Sequence, residues 1–210
     1  MELFFGATID TQRITDVLEG AGFAALNKTS DVSGTQIESQ VLPTLPDTVG
    51  SNMRMLLVGL NPSLHSVEAG YGFAGPGNRF WPAVIEAGLI SKNRNPMHAL
   101  RHHQIGMSDL VKRASARASA ISDVEYQAGV ARLDRLCDWL SPEIVCVLGI
   151  TGWRSALKNR NLRLGKQTTQ LGGRTVYVLP NPSGLNAHTN CTDLVTQFRE
   201  LMRVVNSSVS

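Results

Sequence analysis

Two Asn-Pro-Ser tripeptides, Asn61-Pro62-Ser63 and Asn181-Pro182-Ser183, each follow an apolar run: Met55 to Val58 in one case, Thr175 to Leu179 in the other. An asparagine amide both donates and accepts hydrogen bonds, which suits orienting a water or reading the edge of a base. The proline beside it fixes the backbone so that neighbouring N–H groups can point into a pocket. The plainer reading is that Asn-Pro only makes a tight turn, and a second copy at a second strand end weakens it. Gly59 and Leu60 lead into the first tripeptide; Gly184, Leu185 and Asn186 follow the second. Downstream of the first lies Gly70 to Trp81, GYGFAGPGNRFW, with four glycines spaced around Tyr71, Phe73 and Pro76. A loop so rich in glycine is costly to order, and it is expected to hold something flat.

The elements that must position these residues follow from hydrophobic pattern. Short apolar runs closed by turn residues read as buried parallel strands. In open parallel sheets, ligands sit outside the carboxyl ends of such strands, where both asparagines lie. Gly106 to Val111 and Ile144 to Leu148 read as further strands. Helices are expected over Phe80 to Ala87, Met97 to His103, Ser122 or Asp123 to about Leu140, Thr151 to Lys158, and Thr192 to Val205. Strands alternating with helices predict an α/β fold in three α/β/α layers. Residues 1–52 read as an N-terminal extension of unknown role, with an amphipathic helix over Thr11 to Ala25 and a linker or surface loop from Asn27 to Gly50. Residues 53–210 form the domain that carries the motifs.

Composition narrows the class. The chain has 210 residues, 42% hydrophobic and 18% charged, which fits one globular domain with a real core and not a disordered chain. A net charge of +3 is uninformative until its distribution is read. Ile144 to Thr192 contains no Asp or Glu but six Lys or Arg, and from Lys92 to Arg117 the one acid is Asp109. One-sided charge suits a polyanion such as nucleic acid, or else marks a solvated basic face. Ser91, Lys158, Arg160, Arg163 and Lys166 are candidate phosphate contacts. The three cysteines, Cys137, Cys146 and Cys191, are odd in number and far apart. They predict buried reduced thiols in the cytoplasm, and no metal site. Gly165-Lys166-Gln167-Thr168 hints at a phosphate loop, but Arg160 stands where that motif needs its first glycine. No segment reads as a membrane span or signal peptide.

Taken together, the motifs resemble the mismatch-specific uracil-DNA glycosylase and thymine-DNA glycosylase family of the uracil-DNA glycosylase superfamily. Four segments carry the resemblance: Gly59 to Ser63, Gly75 to Trp81, the GMSDLVKR segment from Gly106 to Arg113, and Asn181 to Leu185. They occur in the family's order over roughly residues 53 to 204. The resemblance implies a small four-stranded parallel sheet between helices. It also implies an enzyme, active as a monomer without cofactor or metal on double-stranded DNA. Such an enzyme flips uracil or thymine opposite guanine out of the duplex and hydrolyses its N-glycosidic bond.

Residue by residue, Asn61 matches the catalytic asparagine that positions water. Phe73 stands where a ring stacks on the flipped base, with backbone N–H groups at Leu60, Ser63 and Phe73 near the leaving base and Asn181 as a further base contact. Leu185 resembles the wedge that fills the vacated stack, with Ser183, Gly184 and Asn186 beside it on the DNA. An arginine frequent in that loop among relatives is missing; Asn186-Ala187-His188 stands instead. Asp109 occupies a position that varies among relatives, and a carboxylate there suits deprotonating the water, which makes it a second catalytic candidate. Plainer roles remain open at this stage: core residues for Phe73 and Leu185, and a helix cap or a partner of Lys112 or Arg113 for Asp109. Lys112 is expected to face outward, so no lyase step follows. The competing readings are a glycosylase for hypoxanthine, ethenocytosine or single-stranded uracil, and a non-catalytic binder of damaged DNA.

Overall fold

The computed structural model describes residues 1–6, 8–187 and 189–207; His188, in the proposed wedge loop, lies outside them. Five short, mostly buried strands make the central sheet: β4 (Met55–Gly59), β5 (Ile105–Asp109), β6 (Ile144–Leu148), β7 (Gly165–Leu171) and β8 (Arg174–Leu179). Their order is β5-β4-β6-β8-β7. The first four run parallel, and β7 closes one edge antiparallel to β8. The sheet is therefore five-stranded and mixed, where four parallel strands were expected. β7 holds the supposed phosphate loop. A Gly172-Gly173 turn, both residues at positive φ, joins it to β8, the two-residue connection that hairpins favour.

Every residue of β4 is buried, and strand alternation divides its side chains between two cores. Met55 and Leu57 pack with Phe80, Trp81, Leu194 and Phe198, which come from α3 (Phe80–Glu86) and α7 (Cys191–Ser207). Leu56 and Val58 pack with Tyr126, Leu133 and Trp153, from α5 (Asp123–Leu140) and α6 (Ile150–Ala156). That is the three-layer α/β/α arrangement, with helices on both faces of a mostly parallel sheet. α5 starts at a capping box: the Ser122 hydroxyl accepts from the Glu125 amide, and the Glu125 carboxylate accepts from the Ser122 amide. Two further helices are short, α2 (Leu64–Ala69) and α4 (Pro96–His103). Cys137 and Cys146 are buried free thiols, and Cys191 is partly exposed.

The N-terminal segment departs most from expectation. Asn27 to Gly50 is not a linker. β1 (Glu2–Gly6), β2 (Phe23–Ser30) and β3 (Gly34–Val41) form an antiparallel sheet in the order β1-β3-β2, with α1 (Thr11–Gly20) packed on it. Its own small core is Ile14, Leu18 and Ile37. β2 is largely exposed, so its polar residues read as loop in the sequence. This unit is fastened to the larger one at named points. Asp16 accepts two hydrogen bonds from Arg135 of α5, at 2.7 and 2.8 Å, and Thr48 pairs with Met107 of β5. Among the described residues, no helix is long and apolar enough to cross a membrane.

Candidate active site

The parallel register sets the site. Gly59, the last residue of β4, lies beside Asp109, the last of β5. β8, two strands away across β6, ends at Leu179 on the same edge of the sheet. Both Asn-Pro-Ser turns thus leave one edge, where a cavity of about 130 Å³ is lined by Gly59, Leu60, Asn61, Ser63, Phe73, Asp109, Ser115, Arg117, Asn181, Ser183 and Leu185. That is a few times the roughly 30 Å³ share of one water, a scale suited to one small flat ring. A larger apolar cleft of about 760 Å³ lies between the N-terminal unit and α2 and α5, and neither asparagine lines it.

The orientation of the Asn61 amide is dictated by its partners. Its Nδ2 donates to Ser115 Oγ at 2.8 Å, to Pro62 O at 3.0 Å and to Arg113 O at 3.2 Å. Two of these are carbonyls, which only accept. The third, Ser115 Oγ, already gives its proton to Arg117 O at 2.8 Å, so it too accepts from Asn61. The amide therefore has one possible orientation, and its Oδ1 has no protein partner among the described residues. Such an oxygen, partly exposed beside a cavity, is an acceptor for water or substrate.

Asp109 has no ion pair and no side-chain hydrogen bond among the described residues. Burial pushes its carboxyl up to about 6, more than the nearby Lys112 and Arg132 cations lower it, while Asp47 adds a further upward push. Gly59 makes this approach possible: a Cβ there would stand 2.5 Å from Asp109 Oδ1 and 3.5 Å from Phe73 Cζ. Neither plainer reading of Asp109 is seen, since it caps no helix and pairs with neither Lys112 nor Arg113. Arg113 is bonded instead to Glu125 at 2.6 Å. Lys112 does not face outward as expected; it is buried, with Nζ 2.7 Å from Asp47 Oδ1. Lys112, and Arg154, which donates to Leu162 O, are engaged within the fold, while Arg113 stays exposed with its charge offset by Glu125.

Phe73 has a φ of +61°, a left-handed backbone that bulky residues rarely adopt and that persists only where its surroundings impose it. Here they do. The Phe73 ring stacks on Phe80 with centroids 4.0 Å apart; Trp81 Nε1 donates to Gly72 O at 2.9 Å; the Ala74 amide donates to Ser66 Oγ at 3.3 Å. The loop is held, and Phe73 borders the cavity while only half-buried. Ser63 caps α2 by accepting from the Ser66 amide. The Leu60 side chain is buried against α6, where a Cβ on Gly149 or Gly152 would strike it, so only its backbone is available to the cavity.

In the second loop, Asn181 Oδ1 accepts from the Ser183 amide at 2.9 Å, which leaves its Nδ2 as a donor. Asn186 Nδ2 donates to Asn181 O at 2.9 Å. Between them Leu185 is 85% exposed, so it is not a core leucine. Arg79 clamps this loop, donating from Nη1 to Ser183 O at 3.0 Å and Asn186 O at 3.1 Å. Gly184 sits so close to the glycine-rich loop that a Cβ on it would come 2.9 Å from Gly77 O. All the residues expected at the site are thus brought to one edge. Ser115, Arg79 and Arg117 join them without an expected role: Ser115 and Arg79 reach partners far along the chain, and Arg117 lines the cavity beside Ser115.

The family model described as the Uracil DNA glycosylase superfamily matches residues 46–202. Among solved structures, the chain is similar to a candidate uracil DNA glycosylase from Methanosarcina acetivorans, determined by solution NMR. Identity is 23%, over 76% of this chain and 97% of that one, with a TM-score of 0.49.

Proposed function

The chain belongs to the uracil DNA glycosylase superfamily, and from that premise we propose that it excises uracil, or thymine, mispaired with guanine in double-stranded DNA. One observation carries the reading: the Asn61 amide is locked with Oδ1 unpartnered, and it shares a ring-sized cavity with the uncompensated carboxylate of Asp109. A base inside the stack cannot be attacked, so it must be flipped into a pocket and stacked on an aromatic face; Phe73 supplies that face. Asn61 Oδ1 accepts a hydrogen bond from the water. The water oxygen bonds to the sugar C1′ as the C1′–N bond breaks, and the bonding pair leaves with the base. The water's proton passes to Asp109, whose negative charge offsets the oxocarbenium character of the sugar in the transition state. Backbone N–H groups bordering the cavity at Leu60, Ser63 and Phe73, with Asn181 Nδ2, stabilise the leaving anion as an oxyanion hole does.

Leu185 is the wedge. An exposed leucine on a braced loop is suited to enter the vacated stack, offsetting stacking losses of a few kcal/mol, with Ser183, Gly184 and Asn186 against the strand and the unpaired guanine. The reaction ends at an abasic site. Lys112, the one lysine within the motifs, has its ammonium engaged by Asp47 and is withheld from Schiff-base chemistry. The test is single-turnover excision from a labelled G·U duplex by wild type and Asn61→Ala. A loss of about two orders of magnitude or more is expected on removing a group that positions the nucleophile. Retention of the rate within about tenfold overturns the proposal.

A further inference from the structure

The buried ion cluster behind β5 takes no part in the scheme above. Asp47 lies in the segment that joins the N-terminal sheet to β4. Its Oδ1 accepts from Lys112 Nζ at 2.7 Å and Ser108 Oγ at 2.7 Å, and its Oδ2 accepts from Arg132 Nη2. All three charged side chains are 5% exposed or less. α1 seals the cluster: the Asp47 amide donates to Gly20 O at 2.7 Å, and a Cβ on Gly20 would come 2.7 Å from both Asp47 and Arg132.

Burying one acid with two bases is costly, and breaking such a cluster costs more than forming it gains. Its placement gives it a use. Strand alternation sends Ser108 and Asp109 to opposite faces of β5. Ser108 meets Asp47, while Asp109 shares its face with Ile105 and Met107, which pack with Phe80 and Trp81. Lys112 comes three residues after Asp109 and is the nearest cation by sequence; an unengaged ammonium there would pair with the carboxylate and occupy the oxygen needed for water. We infer that Asp47 is a positioning residue for Asp109, holding the Lys112 ammonium and the Arg132 guanidinium on the far side of β5 so that the Asp109 carboxylate stays unpaired in the cavity. This rests on the catalytic reading of Asp109 given above.

The charged groups that act on Asp109 are Lys112, Asp47 and Arg132, with Arg117 on the cavity rim; β4 and the Gly72 to Asn78 loop carry none. Removing Asp47 leaves two uncompensated cations and frees Lys112 to swing to Asp109. Removing Lys112 takes away attraction. The two changes therefore move the Asp109 titration in opposite directions, by about one pH unit each for a charge at close range.

The experiment follows the Asp109 side-chain carboxyl by carbon NMR through a pH titration in full-length wild type, Asp47→Asn and Lys112→Met, and records single-turnover excision against pH in parallel. The midpoint is expected to fall in Asp47→Asn and rise in Lys112→Met, with the acid limb of the rate following. If Asp47→Asn does not fold, Lys112→Met decides alone, because it keeps the Asp47–Arg132 pair. Unmoved midpoints in the folded variants overturn the inference and leave the cluster as a structural tie. Midpoints that move while the rate limb stays uphold the positioning of the carboxylate and sink the catalytic role of Asp109 instead.

Discussion

Replacing Asp109 by Asn is predicted to make the protein more stable and less active, with a pH signature that separates this account from simple repacking. Burial raises the Asp109 carboxyl from its ordinary 3.8 to about 6. Across that interval the folded protein binds a proton that the unfolded chain has released, so this group's contribution makes stability fall as pH rises from about 4 to about 6, then level off. Two pH units at about 1.4 kcal/mol each come to about 3 kcal/mol; solvent entering from the cavity brings the expected figure to roughly 2–3 kcal/mol. Asn carries no such penalty. Urea denaturation of both proteins from pH 4 to pH 7.5 should show the variant gaining little at pH 4 and roughly 2–3 kcal/mol above pH 6.5. For a chain of this size each kcal/mol is about 2–4 °C in Tm. Single-turnover excision by wild type should rise with pH through about 6 as the base ionises, and the variant should lose that limb. A stability difference that is flat with pH, or a variant less stable at pH 7, would mean that burial does not raise the Asp109 carboxyl.

Other perturbations follow from contacts already described. Leu185→Ala should leave stability within about 0.5 kcal/mol, since the side chain is 85% exposed, while slowing excision from duplex far more than from single-stranded substrate; equal effects on both would remove the wedge. Ser115→Ala frees one bond on Asn61 Nδ2. At roughly 1 kcal/mol for such a bond, single-turnover kinetics should show a loss of about five- to tenfold with KM little changed. Gly59→Ala forces Asp109 aside, and should abolish the acid limb of the rate profile in protein that still melts cooperatively. Arg79→Ala removes the Nη1 donor that braces Ser183 and Asn186; limited proteolysis should then cut the 183–187 loop faster than in wild type.

Much of this architecture is legible in the sequence because it is local. Met55 to Val58 and Ile144 to Leu148 are continuous apolar runs, and each is a buried central strand. Ser122, one of the two expected helix starts, is the N-cap of α5. What the local sequence does not reveal is either exposed or distant. β2 is exposed on most of its length and polar over its second half, so no period-2 pattern marks it, and the chain there looks like a loop. β7 was hidden in the same way, although Gly172-Gly173 was a readable hairpin signal. The site divides along the same line. Asn61, Phe73, Asn181 and Leu185 stand in compact motifs, but the lock on Asn61 comes from a serine 54 residues away. Lys112 faces inward to a partner, Asp47, that lies 65 residues upstream, where no local pattern reveals it.

Hydrolytic removal of mispaired uracil is checked by one substrate panel. Labelled oligonucleotides carrying uracil opposite guanine, uracil opposite adenine and uracil in single strands are each incubated with the protein, and half of each sample is then heated in alkali. Strand breaks are expected only after alkali, fastest by far for uracil opposite guanine. Intact strands in every sample, together with tight retention of the G·U duplex in a gel, would contradict it and leave a DNA-binding protein in place of an enzyme.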